Sequence, residues 1–168
     1  MKILVFGANG QVGRELLKRG NAQNAPTIIG LTRKELDITD TSGIQDALQT
    51  HTPDLAINSA AYTAVDRAEQ EPDAAYSVNR DAPSFLATAC SDASIPLFHI
   101  STDYVFDGNK QDPYTEDDPT CPIGIYGRSK CAGEEAVRLR LDRHIILRTS
   151  WVFSAHGSNF VKTMLRIG

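Results

Sequence analysis

Apolar residues gather in five short runs along the chain. They are Lys2–Phe6, Thr27–Leu31, Asp54–Asn58, Ile95–Ile100 and His144–Thr149. Each is five or six residues long and rich in Ile, Leu, Val and Phe, the pattern of a strand buried on both faces. Stretches with helical patterning lie between them. Arg14–Arg19 ends at the stop signal Gly20, and residues 43–50 follow the capping run Asp40-Thr41-Ser42. Residues 64–70 and 73–92 are helical with a break expected at Pro72, and a helix runs from Tyr126 to about residue 141. Glu35–Ile38 is expected as a short strand or extended link, 107–124 as an exposed loop, and 159–166 as a last helix. This alternation predicts an α/β fold, a doubly wound and mostly parallel sheet with helices on both faces and right-handed crossovers. The first strand is central. The chain moves outward through 27–31, then crosses to the other side for 54–58, 95–100 and 144–149. The switch point, where such sheets bind ligands, falls between the first strand and 54–58.

Candidate chemistry collects at the carboxyl ends of these strands. Gly7, Gly10 and Gly13 lie between the first strand and its helix, the context in which backbone approaches a pyrophosphate and a helix N-terminus supplies amide donors. The spacing is G-x-x-G-x-x-G rather than G-x-G-x-x-G, and its place directly after a strand favours a cofactor over an empty turn. The fold is therefore read as Rossmann-type. Arg33 and Lys34 stand where an NAD-specific fold carries an acid, and two cations suit a 2′-phosphate. Ser59-Ala60-Ala61-Tyr62-Thr63 offers small residues that let a flat ring approach. Ser101-Thr102-Asp103-Tyr104 puts hydroxyls where a carbonyl oxygen could be held. Tyr126 and Lys130 share a helix face at i and i+4. An ammonium beside a phenol would lower its pKa and fit it for general acid chemistry. A lone Tyr-x-x-x-Lys arises by chance and gains weight only beside a cofactor site. His99, inside an apolar strand, is read as a core histidine.

A length of 168 residues suits one domain. With 17 basic and 21 acidic residues the net charge is −4, and no basic run suggests a nucleic-acid partner. No apolar run approaches the length of a membrane span. Met1–Phe6 is too short for the apolar core of a signal peptide, so a cytoplasmic location is expected. Cys90, Cys121 and Cys131 match neither a disulfide framework nor a zinc pattern.

Four motifs stand in one order: GANGQVG at 7–13, NSAAYTAVDRAE at 58–69, STDYVFDG at 101–108 and YGRSK at 126–130, followed by RTSWVF at 148–153 and NFVKTMLR at 159–166. Together they resemble the extended short-chain dehydrogenase/reductases and, within them, the dTDP-4-dehydrorhamnose reductase family, over nearly the whole chain. The resemblance implies NADPH- or NADH-dependent reduction of the C4 ketone of dTDP-4-dehydro-L-rhamnose to dTDP-L-rhamnose, a donor for polysaccharide biosynthesis. It implies that Tyr126 donates a proton to the C4 oxygen, that Thr102 orients that oxygen, and that Lys130 lowers the Tyr126 pKa and bonds the nicotinamide ribose. Gly7, Gly10, Gln11, Val12 and Gly13 would cradle the pyrophosphate, with Arg33 near a 2′-phosphate and Asp37 and Ile38 flanking the adenine. Ala60, Ala61, Tyr62 and Thr63 would line the ribose and nicotinamide side. Asp103, Tyr104 and Trp151 would face the sugar.

Members of this family carry a carboxyl-terminal substrate part after the Rossmann half. Residues 1–168 are therefore expected to be the NAD(P)-binding domain with the catalytic Thr/Tyr/Lys, and the substrate domain to be largely absent, so that cofactor binding is a safer expectation than turnover. The expected partner is a nucleotide-sugar substrate, and a homodimer is compatible with the resemblance. Glu15 matches a magnesium position in some relatives but reads here as a solvated first-turn carboxylate, and no metal is assigned. Alternatives are a related epimerase or dehydratase, against which the single acid of Thr102-Asp103-Tyr104 argues, and a non-catalytic regulatory subunit resembling the β subunit of methionine adenosyltransferase.

Overall fold

The computed structural model describes residues 1–20 and 22–168. Five parallel strands, β1 (Lys2–Phe6), β2 (Thr27–Leu31), β3 (Leu55–Asn58), β4 (Leu97–Thr102) and β5 (His144–Thr149), form one sheet in the order β2-β1-β3-β4-β5. The reversal of winding lies between β1 and β3, as the strand pattern predicts. β1 shows why its run is uninterrupted. Leu4 and Phe6 enter the larger core with Ile44, Leu48, Leu86, Leu97 and Val137, while Ile3 and Val5 enter a smaller one with Ile57, Leu16 and Phe98. Helix α1 (Gln11–Gly20) supplies Leu16 on one face. Helices α2 (Thr41–His51), α5 (Ala82–Asp92) and α6 (Ile125–Arg140) cover the other.

Of the two forms expected for Glu35–Ile38, a short strand or an extended link, the structure shows the link: no strand forms there, and the Glu35 carboxylate accepts from both the backbone N–H and the hydroxyl of Thr32, each at 2.8 Å. The expected break at Pro72 is present: one short helix ends at Ala68 and a new one starts at Pro72. Pro72 opens α4 (Pro72–Tyr76), where its missing N–H costs nothing. A π-helical turn over Ser77–Asp81 then leads directly into α5. Two short elements complete the chain: α3 (Val65–Ala68) and the final helix α7 (Phe160–Ile167). Asn159 caps α7, its side chain accepting from the Lys162 N–H at 3.1 Å. No helix among the described residues is long and apolar enough to cross a membrane.

Candidate active site

The carboxyl ends of β1, β3 and β4 and the start of α6 enclose a cavity of about 630 Å³, within the range of small-molecule sites. Gly7, Gly10, Gln11 and Val12 form one wall, Ala60, Ala61 and Thr63 a second, and Thr102, Tyr126 and Lys130 a third. Asp103, Tyr104 and Trp151 also line it. A second cavity of about 280 Å³ shares Gly7, Arg33, Ala61 and Thr63 with the first and adds Asp37, Ile38 and Tyr62. Most of the residues singled out in sequence thus line one of two adjoining cavities. Lys34 lines neither, and Arg33 lines both.

The glycines differ in what they do. Gly7 sits at φ +82°, and a Cβ there would lie 2.5 Å from the Ala60 nitrogen. The β1–α1 turn can therefore pass against the β3 loop only without a side chain. Gly13, expected in the pyrophosphate cradle, lies outside the cavity wall. A Cβ there would stand 2.5 Å from the Gly7 carbonyl oxygen, so its role is close packing of α1 on the turn. The first N–H groups of α1 have no intrahelical acceptor by helix geometry. The Gln11 side chain is already engaged, its Oε1 accepting from Asn159 Nδ2 at 2.8 Å and Ser154 Oγ at 3.3 Å. Gly7→Ala is expected to cost about 2 kcal/mol of unfolding free energy in urea titrations, because a left-handed φ and two backbone neighbours both oppose the methyl.

Helix α6 begins where Glu69 Oε1 accepts the Ile125 N–H at 2.7 Å, placing a carboxylate at the positive end of the helix. Tyr126 follows and is buried against Tyr104, ring edge to face with centroids 5.4 Å apart. One turn on, Lys130 is almost wholly buried, and its Nζ donates to the Ile100 carbonyl at 2.7 Å. The loop after β3 is fixed to the same helix by Asn79 in the π-helical turn. Its Oδ1 accepts from the Tyr62 N–H at 2.9 Å, and its Nδ2 donates to the Tyr62 carbonyl at 3.1 Å and to Ser129 Oγ at 3.0 Å. Ser129 Oγ donates in turn to the Tyr126 carbonyl at 2.8 Å.

The electrostatics correct one expectation. The Tyr126 phenol is not lowered overall: burial raises it above its ordinary value, with the Thr102 hydroxyl pulling back and Asp103 and Tyr104 pushing further up. Lys130 is itself pushed down to about 8 by burial, partly offset by Glu134. The Thr102 hydroxyl donates to Asp103 Oδ1 at 3.1 Å, and Asp103 Oδ2 accepts from Ser150 Oγ at 2.7 Å. His99 is a core histidine. It is fully buried, its Nδ1 lies 3.2 Å from Asn58 Nδ2, and burial together with the Lys130 charge lowers its pKa well below the usual value. Asp37 and Arg33 pair at 3.2 Å on the surface. Trp151 adopts φ +52°, a conformation uncommon for a bulky residue, and its ring meets Phe160 edge to face at 4.9 Å.

A nicotinamide dinucleotide fits this arrangement. A side-chain-free turn faces the cavity at a helix N-terminus, a narrower lobe holds Ile38 and Val78 beside Arg33 and Arg67, and a buried lysine and tyrosine lie together at the far wall. No group of three or more His, Cys, Asp or Glu residues able to hold a metal occurs among the described residues.

Sequence reasoning missed the group behind this wall. Glu134 is fully buried and carries no mark in a pattern-based reading. Two signals point to it: its i+4 spacing from Lys130, and an arginine, Arg148, inside an apolar strand, which demands a buried counter-charge.

Residues 1–168 match the family described as the RmlD substrate binding domain. A dTDP-4-dehydrorhamnose reductase of Sinorhizobium fredii is 47% identical over 167 residues, which are 99% of this chain and 56% of that protein. Among solved structures, the dTDP-4-dehydrorhamnose reductase of Bacillus anthracis in complex with NADP superposes with a TM-score of 0.94 at 41% identity, covering 99% of this chain and 59% of that one. The Clostridium acetobutylicum dTDP-4-dehydrorhamnose reductase gives the same TM-score, identity and coverage. The chain thus spans somewhat more than half the length of the relatives it matches.

Proposed function

The chain belongs to the family of the RmlD substrate binding domain, and on that premise we propose that it is the cofactor-binding and proton-donating half of a dTDP-4-dehydrorhamnose reductase. One observation carries the proposal: Thr102, Tyr126 and Lys130 line the same cavity as the glycine turn. Gly7, Gly10 and the first amides of α1 receive the pyrophosphate. Asp37 and Ile38 border the adenine, and Arg33 takes a 2′-phosphate when the cofactor is NADPH rather than NADH. Ala60, Ala61, Tyr62 and Thr63 border the ribose and nicotinamide. A bound reduced nicotinamide supplies the hydride for the C4 ketone of dTDP-4-dehydro-L-rhamnose. Tyr126 gives its phenolic proton to the C4 oxygen, and Thr102 orients that oxygen. The raised pKa of Tyr126 suits an acid, since the proton stays on the phenol until the oxygen becomes basic. Lys130 bonds the ribose as a cation. Asp103, Tyr104 and Trp151 face the sugar, the rest of whose site would come from the length that relatives have beyond this chain. The proposal includes a cytoplasmic location and a homodimeric assembly, the latter readable by sedimentation.

The test is titration with NADPH and NADH, following energy transfer from Trp151, the single tryptophan. Saturable binding supports the proposal, and the absence of binding to either cofactor overturns it. Affinity is further expected to fall as pH rises through about 8, where Lys130 loses its proton. Parallel titrations on either side of that pH check this, and an affinity flat across the range rules out a charged Lys130 in binding.

A further inference from the structure

Glu134 lies one turn beyond Lys130 on α6 and is fully buried. Four donors converge on its two oxygens. Ser101 Oγ at the end of β4 donates at 2.6 Å. Arg148 on β5 binds in a fork, Nε at 3.0 Å and Nη2 at 2.7 Å. Arg138, one turn on along α6, adds Nη2 at 2.9 Å. A fully desolvated carboxylate is costly unless paired and hydrogen-bonded, and this one meets both conditions. It joins three elements, α6, β4 and β5. β4 and β5 are tied again nearby, where Thr149 Oγ1 donates to the Ser101 carbonyl at 3.0 Å. The Ile100 carbonyl that receives Lys130 Nζ is the residue before Ser101. Glu134 therefore holds the helix that carries Lys130 and the strand that carries its acceptor.

We infer that Glu134 is a positioning residue which, through Ser101, Arg138 and Arg148, holds Lys130 as a cation against the Ile100 carbonyl. The inference rests on the reading of Lys130 as the cation that meets the cofactor. The surroundings of Lys130 leave this task to Glu134. On β4, His99 is held neutral by burial and by the Lys130 charge itself. On α6, Tyr126 keeps its proton. On β5, Arg148 is cationic and is directed at Glu134. Asp103, after β4, acts on Tyr126 and bonds Ser150. Glu134 is the charge that favours protonated Lys130.

The experiment is a pH titration of the Lys130 side chain by NMR in cofactor-free, ¹³C,¹⁵N-lysine-labelled protein. The signal is identified by its loss in Lys130→Met. The wild-type midpoint is expected near 8. Glu134→Gln is expected to lower it by about one pH unit, the usual effect of removing a close opposite charge. Arg138→Gln is expected to move it the other way, because it frees part of the Glu134 charge. Arg138 is half exposed, so that variant should fold even where Glu134→Gln does not. A Glu134→Gln protein that melts earlier but leaves the Lys130 midpoint in place would show a merely structural role and overturn the inference. An unmoved midpoint in Arg138→Gln would do the same. The titration needs no cofactor, so failure of wild-type protein to bind NADPH would count against the proposed function alone.

Discussion

On the proposed function, and with the sugar site completed, Tyr126→Phe is expected to lower turnover of the proposed 4-ketosugar substrate by about 10²–10⁴-fold, the usual worth of a positioned general acid, while NADPH affinity stays within a few fold. The substitution removes one oxygen and leaves the ring. Tyr126 is nearly buried, packs edge to face on Tyr104 and rests on Ala68 and Ala75, so phenylalanine keeps every apolar contact. The Thr102 hydroxyl beside it donates to Asp103. Equal losses of kcat and kcat/KM in steady-state kinetics would identify an interaction made only in the transition state. A variant retaining most of its kcat would remove Tyr126 from the chemistry.

How much of this was legible in the sequence depended on the range of the interaction. Strands buried on both faces write themselves as apolar runs, and Lys2–Phe6 is read almost to the residue because Leu4 and Phe6 face one core and Ile3 and Val5 the other. The switch point followed from strand order, and with it the meeting of the glycine turn, Thr102, Tyr126 and Lys130. The protonation chemistry did not follow. Helical spacing says that Lys130 and Tyr126 share a face, but not that the Lys130 ammonium turns to the Ile100 carbonyl or that burial outweighs charge at the phenol. Those outcomes depend on desolvation, which a linear pattern does not record. Glu134 with Arg148 and Asn79 with Tyr62 were missed for a related reason. Each pair joins residues 14 or more apart, and only the packed fold shows that both partners are enclosed.

Gly127→Ala is expected to destabilise the fold by about 3 kcal/mol or more, at or beyond the upper end for overpacking. On helix propensity alone the change should help, by about 1 kcal/mol. Gly127 is buried in the first turn of α6, however, and a Cβ there would sit 2.2 Å from the Tyr104 carbonyl oxygen, roughly 1 Å inside ordinary carbon–oxygen contact. The obstacle is backbone, so no rotamer change relieves it. The Tyr104 carbonyl belongs to the 3₁₀ turn Asp103–Val105, which follows Thr102 directly, and Tyr126 is the neighbour of Gly127. Relief therefore requires α6 to withdraw from that turn, which would move Tyr126 away from Thr102. Stability and turnover should fall together, and the Lys130 anchor on Ile100 should loosen with them. Urea denaturation alongside kinetics at a temperature where the variant stays folded separates the two effects. A variant as stable as wild type would mean that α6 and the Thr102 turn are not held at the contact distance on which this account of the site depends.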